Sequence, residues 1–159
     1  RRVLRSPLRA VIHGAELATL WQQCGELLRY RTRLPPRLSE LAILVTARYS
    51  DAPFEWHAHE PPAIAGGVPR EAIDAICKGE RPSQLALDES IVYDYAFELK
   101  AHHNVSDNTH RRALDSLGVV GVVELTALVG YYTMVAMMLN AQGIPLPEGL
   151  PSPLPVLER

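Results

Sequence analysis

The chain has 159 residues, 47% of them hydrophobic and 21% charged, with a formal net charge of -2. This length suits one domain with a sizeable core, and the composition is that of an ordinary globular protein. The near-neutral charge speaks against a nucleic-acid surface or an anionic membrane as a partner. The two cysteines, Cys24 and Cys77, match neither a zinc-binding nor a CxxC spacing, which favours reduced thiols in a cytoplasmic protein.

Apolar residues recur at helical spacing along nearly the whole chain, and no segment alternates as a strand would. The pattern predicts an all-α protein, a compact bundle of about six to seven helices. Prolines, glycines and capping residues set the boundaries, and Pro61 and Pro62 are expected to kink or end the third helix. In chain order the predicted helices cover residues 15–30, 37–49, 54–65, 69–78, 88–102, 107–117 and 119–139.

The domain organisation follows from where this periodicity ends. We expect a single helical domain over residues 1–142, with its core over 34–140, and a Pro-rich tail over 143–159. The five prolines of the tail exclude a regular helix. The tail is therefore expected to be extended, and either to pack on a neighbour or to stay mobile.

The segment from Val119 to Leu139 is apolar over 21 residues and carries one charge, Glu124. Its length alone would allow a membrane span. Its flanks lack basic anchors, however, and Thr126, Gly130 and similar residues suit a helix packed inside protein. We interpret it as a core helix that is half covered by another subunit. The sequence therefore predicts a homo-oligomer and no membrane contact.

The residues with catalytic character concentrate between Glu40 and His59. Glu55 and His59 are four residues apart, so they share one face of the third helix, where Trp56 can form a wall of the same pocket. Glu40 lies on an apolar helix, where a carboxylate is costly unless it is paired. A histidine beside two carboxylates in an apolar setting is suited to general acid–base catalysis. From the residue types alone, a buried pair that only joins two helices is the favoured interpretation.

Two further features near this segment bear on ligands. Arg48 lies two helical turns after Glu40 and could pair with it or hold an anionic substrate. The glutamates and histidines of this segment could also supply oxygen and nitrogen ligands to a metal ion. His57 and His59 point to different faces of a regular helix, however, and no HExxH signature is present. The sequence predicts neither a metal nor another cofactor.

The same residues carry a resemblance to the carboxymuconolactone decarboxylase family and its alkyl hydroperoxidase D relatives. Glu40, Ala52, Glu55 and His59 reproduce the spacing of a glutamate, two CxxC cysteines and a histidine, with Ala52 and Glu55 in the cysteine positions. Residues 54–60, FEWHAHE, look like the EW..H version of this motif. Residues 34–44 and 124–133 are similar to the run before the glutamate and to the closing core helix. The resemblance implies an all-α bundle that forms homotrimers or homohexamers.

The resemblance also implies a small-molecule lyase or isomerase that acts on a carboxylic acid or lactone without a cofactor. Because the CxxC pair is missing, a dithiol peroxidase cycle is not expected. In this interpretation His59 is the main proton donor or acceptor, and Glu40 and Glu55 orient and tune it. His57 or Tyr131 would supply a second hydrogen-bonding group. Two alternatives stay open: a non-catalytic oligomeric binding or scaffold protein, and a peroxidase-related activity of one of the cysteines. The expected substrate-binding residues are Trp56, Arg48 and Tyr131.

Overall fold

A computed structural model of the chain describes residues 14–148 and 150–156. The described residues form six α-helices and no strand, which confirms the predicted all-α bundle. The predictions that concern residues 1–13, 149 and 157–159 lie outside the described residues. The helices are α1 (Ala15–Tyr30), α2 (Pro36–Tyr49), α3 (Pro53–Gly66), α4 (Arg70–Cys77), α5 (Leu87–His102) and α6 (Asp107–Ala141).

The helix boundaries follow local chemistry closely. Pro36 and Pro53 are the first residues of α2 and α3, where a missing N–H costs nothing because that group has no helical partner. The Ser106 side chain accepts a hydrogen bond from the Thr109 N–H and so caps α6. These signals are why the predicted and observed helix starts differ by at most one residue.

The third helix does not end at Pro61 and Pro62, because α3 continues through both to Gly66. The two prolines withdraw N–H donors from the carbonyls of His57 and Ala58. The side chain of His57 is half-buried and that of Ala58 is exposed. Water can therefore reach this side of the helix and satisfy the carbonyls that the prolines leave without donors.

A break inside α6 agrees with the predicted stop at Gly118. This residue has φ 69° and ψ 173°, a backbone conformation outside the helical region. Positive φ is strained for residues with a Cβ, and glycine adopts it freely. The predicted helices over 107–117 and 119–139 are thus two segments of one continuous element that changes course at this glycine.

Helix α2 forms the centre of the bundle. Every residue from Leu38 to Arg48 is buried, and the helix packs against α3, α5, α6 and α4. At its N-terminal end, α3 comes so close that a Cβ at Gly66 would lie 3.3 Å from the backbone nitrogen of Arg37. This central position places the polar side chains of α2, Glu40 among them, in the protein interior.

Helix α6 buries one face and leaves another exposed. Among the described residues it alone is long and apolar enough to cross a membrane, and 33% of its most apolar 18-residue window is buried within the chain. Its inner face includes Leu125, Leu128 and Tyr132, whereas Val123 and Met137 are 62% and 66% exposed. Part of the predicted core helix is therefore left exposed by its own chain.

The described part of the Pro-rich tail is extended and lies on the bundle of its own chain. Leu154 is buried with the hydrophobic core. The Cys77 thiol donates a hydrogen bond to the Pro153 carbonyl, and Arg48 Nη2 donates one to the Pro155 carbonyl. The tail thus passes over the end of α2 and the end of α4, instead of reaching away to a neighbour.

Candidate active site

A short hydrogen bond joins α2 to α3 inside the bundle. The distance from His59 Nδ1 to Glu40 Oε2 is 2.6 Å, and the two residues are 6% and 5% exposed. If the carboxylate is ionised, Nδ1–H donates and Oε2 accepts. The bond fixes the orientation of the imidazole ring and leaves Nε2 without a hydrogen-bond partner in the described part of the chain.

Two neighbours complete the surroundings of this pair. The Arg29 Nε and Nη2 atoms each lie 3.4 Å from Glu40 Oε1, so a guanidinium from α1 faces the second carboxylate oxygen. The ring of Tyr132 on α6 meets the His59 ring edge to face, with centroids 4.9 Å apart. Four helices therefore converge on one Glu–His pair.

Glu55 lies one turn before His59 on the same face of α3, but its carboxyl group is in a different situation. The residue is 2% exposed, and neither Oε1 nor Oε2 has a hydrogen-bond partner within residues 14–148 and 150–156. Burial without compensation disfavours the charged form. The pKa of Glu55 is consequently raised well above its ordinary value, although the positive charge of Lys100 acts in the opposite direction.

Lys100 is the cation whose charge acts on Glu55. Its Nζ atom donates a hydrogen bond of 3.0 Å to Thr133 Oγ1, which in turn donates to the Val129 carbonyl on α6. Partial burial lowers the pKa of Lys100, and the charge of Glu55 partly offsets this effect. The end of α5 therefore contributes a lysine to the surroundings of a buried acid.

The predicted substrate residues Tyr131 and Trp56 lie in this region. The Tyr131 hydroxyl is engaged in a hydrogen bond, and the Trp56 ring is packed in the core. Trp56 is 1% exposed within the core. The Tyr131 hydroxyl donates to the Trp21 carbonyl over 3.2 Å, and burial raises the pKa of Tyr131 to about 12. Gly25 makes this approach possible, since a Cβ there would collide with the Tyr131 hydroxyl.

Arg48 and His57 are not brought to the Glu40–His59 pair. Arg48 contacts the tail at Pro155 and lies 3.8 Å from a carboxylate oxygen of Asp51. The expected pairing of Arg48 with Glu40 is therefore replaced by one with Arg29, because eight residues of helix separate the two by about 12 Å. His57 is half-buried and has no hydrogen bond in the described part of the chain.

The cysteines are separate free thiols. Cys24 is exposed on α1, and Cys77 is half-buried at the end of α4. Burial raises the pKa of Cys77, so its reactive thiolate form is disfavoured at neutral pH. Within the described ranges 14–148 and 150–156, no group of three or more histidine, cysteine or acidic side chains is arranged to hold a metal ion.

Three contributors to this site were missed by the sequence reasoning: Arg29, Lys100 and Tyr132. Arg29 is 11 residues before Glu40 and belongs to another helix. Lys100 is near the end of α5, where a basic residue is ordinary. Tyr132 is adjacent to the residue that was chosen, Tyr131. An indicator was available for Tyr132, because it falls on the same helical face as the buried Leu125 and Leu128, whereas Tyr131 does not.

Comparison with known proteins agrees with the resemblance on which these site residues were chosen. Residues 15–83 match the model of the carboxymuconolactone decarboxylase family. This segment runs from α1 to beyond α4 and includes Glu40, Glu55 and His59. No curated protein gives a significant match to the chain. The segment 15–83 of the chain is therefore similar to the carboxymuconolactone decarboxylase family.

Proposed function

We propose that the chain is a small-molecule lyase or isomerase that acts on a carboxylic acid or lactone by proton transfer at His59. The observation that carries this proposal is the buried 2.6 Å contact between His59 Nδ1 and Glu40 Oε2. A carboxylate on one ring nitrogen orients the imidazole and stabilises its charged form, as general acid–base catalysis requires. The opposite nitrogen, Nε2, is then available to a substrate.

The second group in this mechanism is Glu55. Because burial raises its pKa well above the ordinary value, Glu55 favours the protonated form, in which it can donate a proton. In a decarboxylation, the bond from the carboxylate carbon to the skeleton breaks, CO₂ leaves, and the electron pair remains on the skeleton. One proton must then be delivered to carbon, and either Glu55 or the charged His59 can donate it.

Arg29 takes the substrate-binding role that the sequence suggested for Arg48. Its side chain is 29% exposed, so it connects the buried Glu40 carboxylate with the protein surface. Its contacts with Glu40 are long, at 3.4 Å, and use only Nε and Nη2. The Nη1 edge of the guanidinium fork remains available to a substrate carboxylate.

The proposal is tested by following CO₂ release from 4-carboxymuconolactone with the wild type and with His59→Ala and His57→Ala. We expect turnover in the wild type and in His57→Ala, and a loss of about 10²–10⁴-fold in His59→Ala, the range of general acid–base catalysis. Equal losses in the two variants would contradict the assignment to His59. If the wild type were inactive, a different carboxylic or lactone substrate would be sought by the same paired comparison.

We also propose that the chain forms a homo-oligomer in the cytoplasm through the exposed face of α6. Val119, Val123 and Met137 leave an apolar stripe along this helix, and Leu17 and Leu20 on α1 are exposed as well. Apolar surface of this extent is typical of an interaction face. Light scattering is expected to give a multiple of 17.6 kDa, reduced by Val123→Asp and unchanged by Arg111→Asp, which lies before the break at Gly118.

The same apolar face favours a second candidate function, that of a non-catalytic oligomeric binding or scaffold protein. In that case the Glu40–His59 pair would serve only to join α2 to α3. His59→Ala would then lower stability without changing any turnover, because none would exist. A peroxidase-related activity has less support, since burial raises the pKa of Cys77 and works against its thiolate form.

A further inference from the structure

The tail and the end of α2 enclose a cavity that the proposed activity does not use. Its volume is about 230 Å³, and seven of the described residues line it: Arg48, Asp51, Pro53, Ser152, Leu154, Pro155 and Val156. Bulk water takes about 30 Å³ per molecule, so the space exceeds that of a small organic anion. Neither Glu40 nor His59 belongs to the lining, which makes this cavity separate from the candidate active site.

The inner end of the cavity carries a positive charge that the protein leaves incompletely compensated. The side chain of Arg48 is 0% exposed. Of its five N–H groups, an Nη2–H donates to the Pro155 carbonyl, while Nε and Nη1 have no hydrogen-bond partner among the described residues. A buried guanidinium with unsatisfied donors is costly, and such groups call for an acceptor that completes the site.

Asp51 does not supply that acceptor. Its carboxylate oxygen lies 3.8 Å from Arg48 Nη1, which is beyond hydrogen-bond distance, and its side chain is 53% exposed. Water screens its charge, whereas the charge of Arg48 is wholly enclosed. Asp51 thus forms a long ion pair with Arg48, and the Nε and Nη1 donors still have no acceptor in the described part of the chain.

The N-terminal end of α3 adds to this field. Pro53, the first residue of the helix, lines the cavity, and no side chain caps the helix there. The N-terminus of a helix carries a partial positive charge that favours anions. A buried cation and the start of a helix thus border the same cavity.

From these observations we propose that the cavity is a binding site for a small carboxylate, held by Arg48 under the C-terminal tail. The planar guanidinium fork matches two carboxylate oxygens, and the apolar walls from Leu154 and Pro155 suit a short aliphatic group. Since the tail forms the outer wall, the ligand enters when residues 152–156 lift from the bundle. A bound carboxylate in turn connects Arg48 with the tail and keeps the tail in place.

The direct test is an NMR titration of the full chain, labelled with ¹⁵N, with sodium acetate at constant ionic strength against sodium chloride. The Arg48 Nε–H signal is assigned by its loss in Arg48→Met. We expect this signal to shift saturably with acetate and not with chloride, in the wild type and equally in Arg70→Met. Arg70 is a matched control because it is 59% exposed and belongs to a surface ion-pair group with Glu60 and Asp74.

A second measurement follows the melting temperature over the same titration. Acetate should raise it in the wild type and in Arg70→Met, with an apparent affinity at least about tenfold weaker in Arg48→Met, because hydrogen bonds to a charged group are lost. If Arg48→Met does not fold, Arg48→Lys replaces it, since lysine keeps the charge and loses the fork. The proposal would be overturned if chloride changed the melting temperature and the Arg48 Nε–H signal as much as acetate does. It would also be overturned if the Arg48 Nε–H signal did not shift with acetate.

Discussion

Two glutamates, one on α2 and one on α3, are buried to nearly the same degree but differ in whether their carboxyl oxygens have partners. Glu40 is 5% exposed, and both of its oxygens have partners, His59 on one side and Arg29 on the other. Glu55 is 2% exposed, and neither of its oxygens has a hydrogen-bond partner in the part of the chain that the structure describes. The first is a compensated charge, and the second is a carboxyl group that burial drives toward its neutral form.

The two glutamates therefore differ in their effect on stability. The paired Glu40 stabilises the fold, whereas burial of the unpaired Glu55 costs free energy of folding. The paired carboxylate of Glu40 has a structural role, because it joins α2, α3 and α1 whether or not a reaction occurs there. An unpaired carboxyl at Glu55 has no such explanation, since it contributes no hydrogen bond to any helix. Groups of this second kind are concentrated at functional sites. Glu55 is therefore the stronger indication of chemistry, although Glu40 has the more conspicuous contacts.

The largest effect is expected from breaking the compensated pair. His59→Ala removes the partner of Glu40 Oε2 and leaves a buried carboxylate with only its long contacts to Arg29. Removing one member of a buried pair costs about 3–5 kcal/mol of unfolding free energy. Urea unfolding followed by circular dichroism, at one fixed protein concentration, measures this loss.

His57→Ala is the matched control for that measurement. It removes the same side chain two residues away, where the residue is half-buried and has no hydrogen bond in the described part of the chain. Its effect should stay within about 0.5 kcal/mol, as for other sites away from such pairs. If the two variants lost equal stability, the Glu40–His59 contact would not be the element that joins α2 to α3.

The sequence predicted the surroundings of Glu40 better than those of Glu55. Helical periodicity and cap residues placed the helices within a few residues, because those signals are local in the chain. The i,i+4 spacing of Glu55 and His59 and the apolar surroundings of Glu40 likewise followed from helix geometry. The pairing of Glu40 with His59 needed one further step, the packing of α2 on α3, and the family resemblance provided it.

What the sequence could not provide were the contacts that depend on tertiary packing. Arg29 and Lys100 reach the site from α1 and α5, and no spacing rule relates their positions to Glu40 or Glu55. Arg48 was placed near Glu40 because both lie on α2, yet the described tail, whose path no periodicity fixes, lies next to Arg48 instead. The absence of a partner for Glu55 is likewise a property of the folded interior alone.

A smaller effect, dependent on pH, is expected from neutralising Glu55. The folded pKa of Glu55 is raised above the ordinary 4.5 by burial, so the folded protein holds this proton at pH values where the unfolded chain has released it. Stability from this group is complete below the unfolded pKa and is lost as pH rises toward the folded one, by about 1.4 kcal/mol per pKa unit. Glu55→Gln removes that loss.

The urea midpoints of Glu55→Gln and the wild type should therefore be close near about pH 5 and diverge toward about pH 8, with the variant the more stable. Glu71→Gln, at an exposed position in the first turn of α4, is expected to follow the wild type throughout. Parallel curves for Glu55→Gln and the wild type would mean that Glu55 gains a partner in solution. The contrast with Glu40 would then disappear, and with it the reason to regard Glu55 as the proton donor.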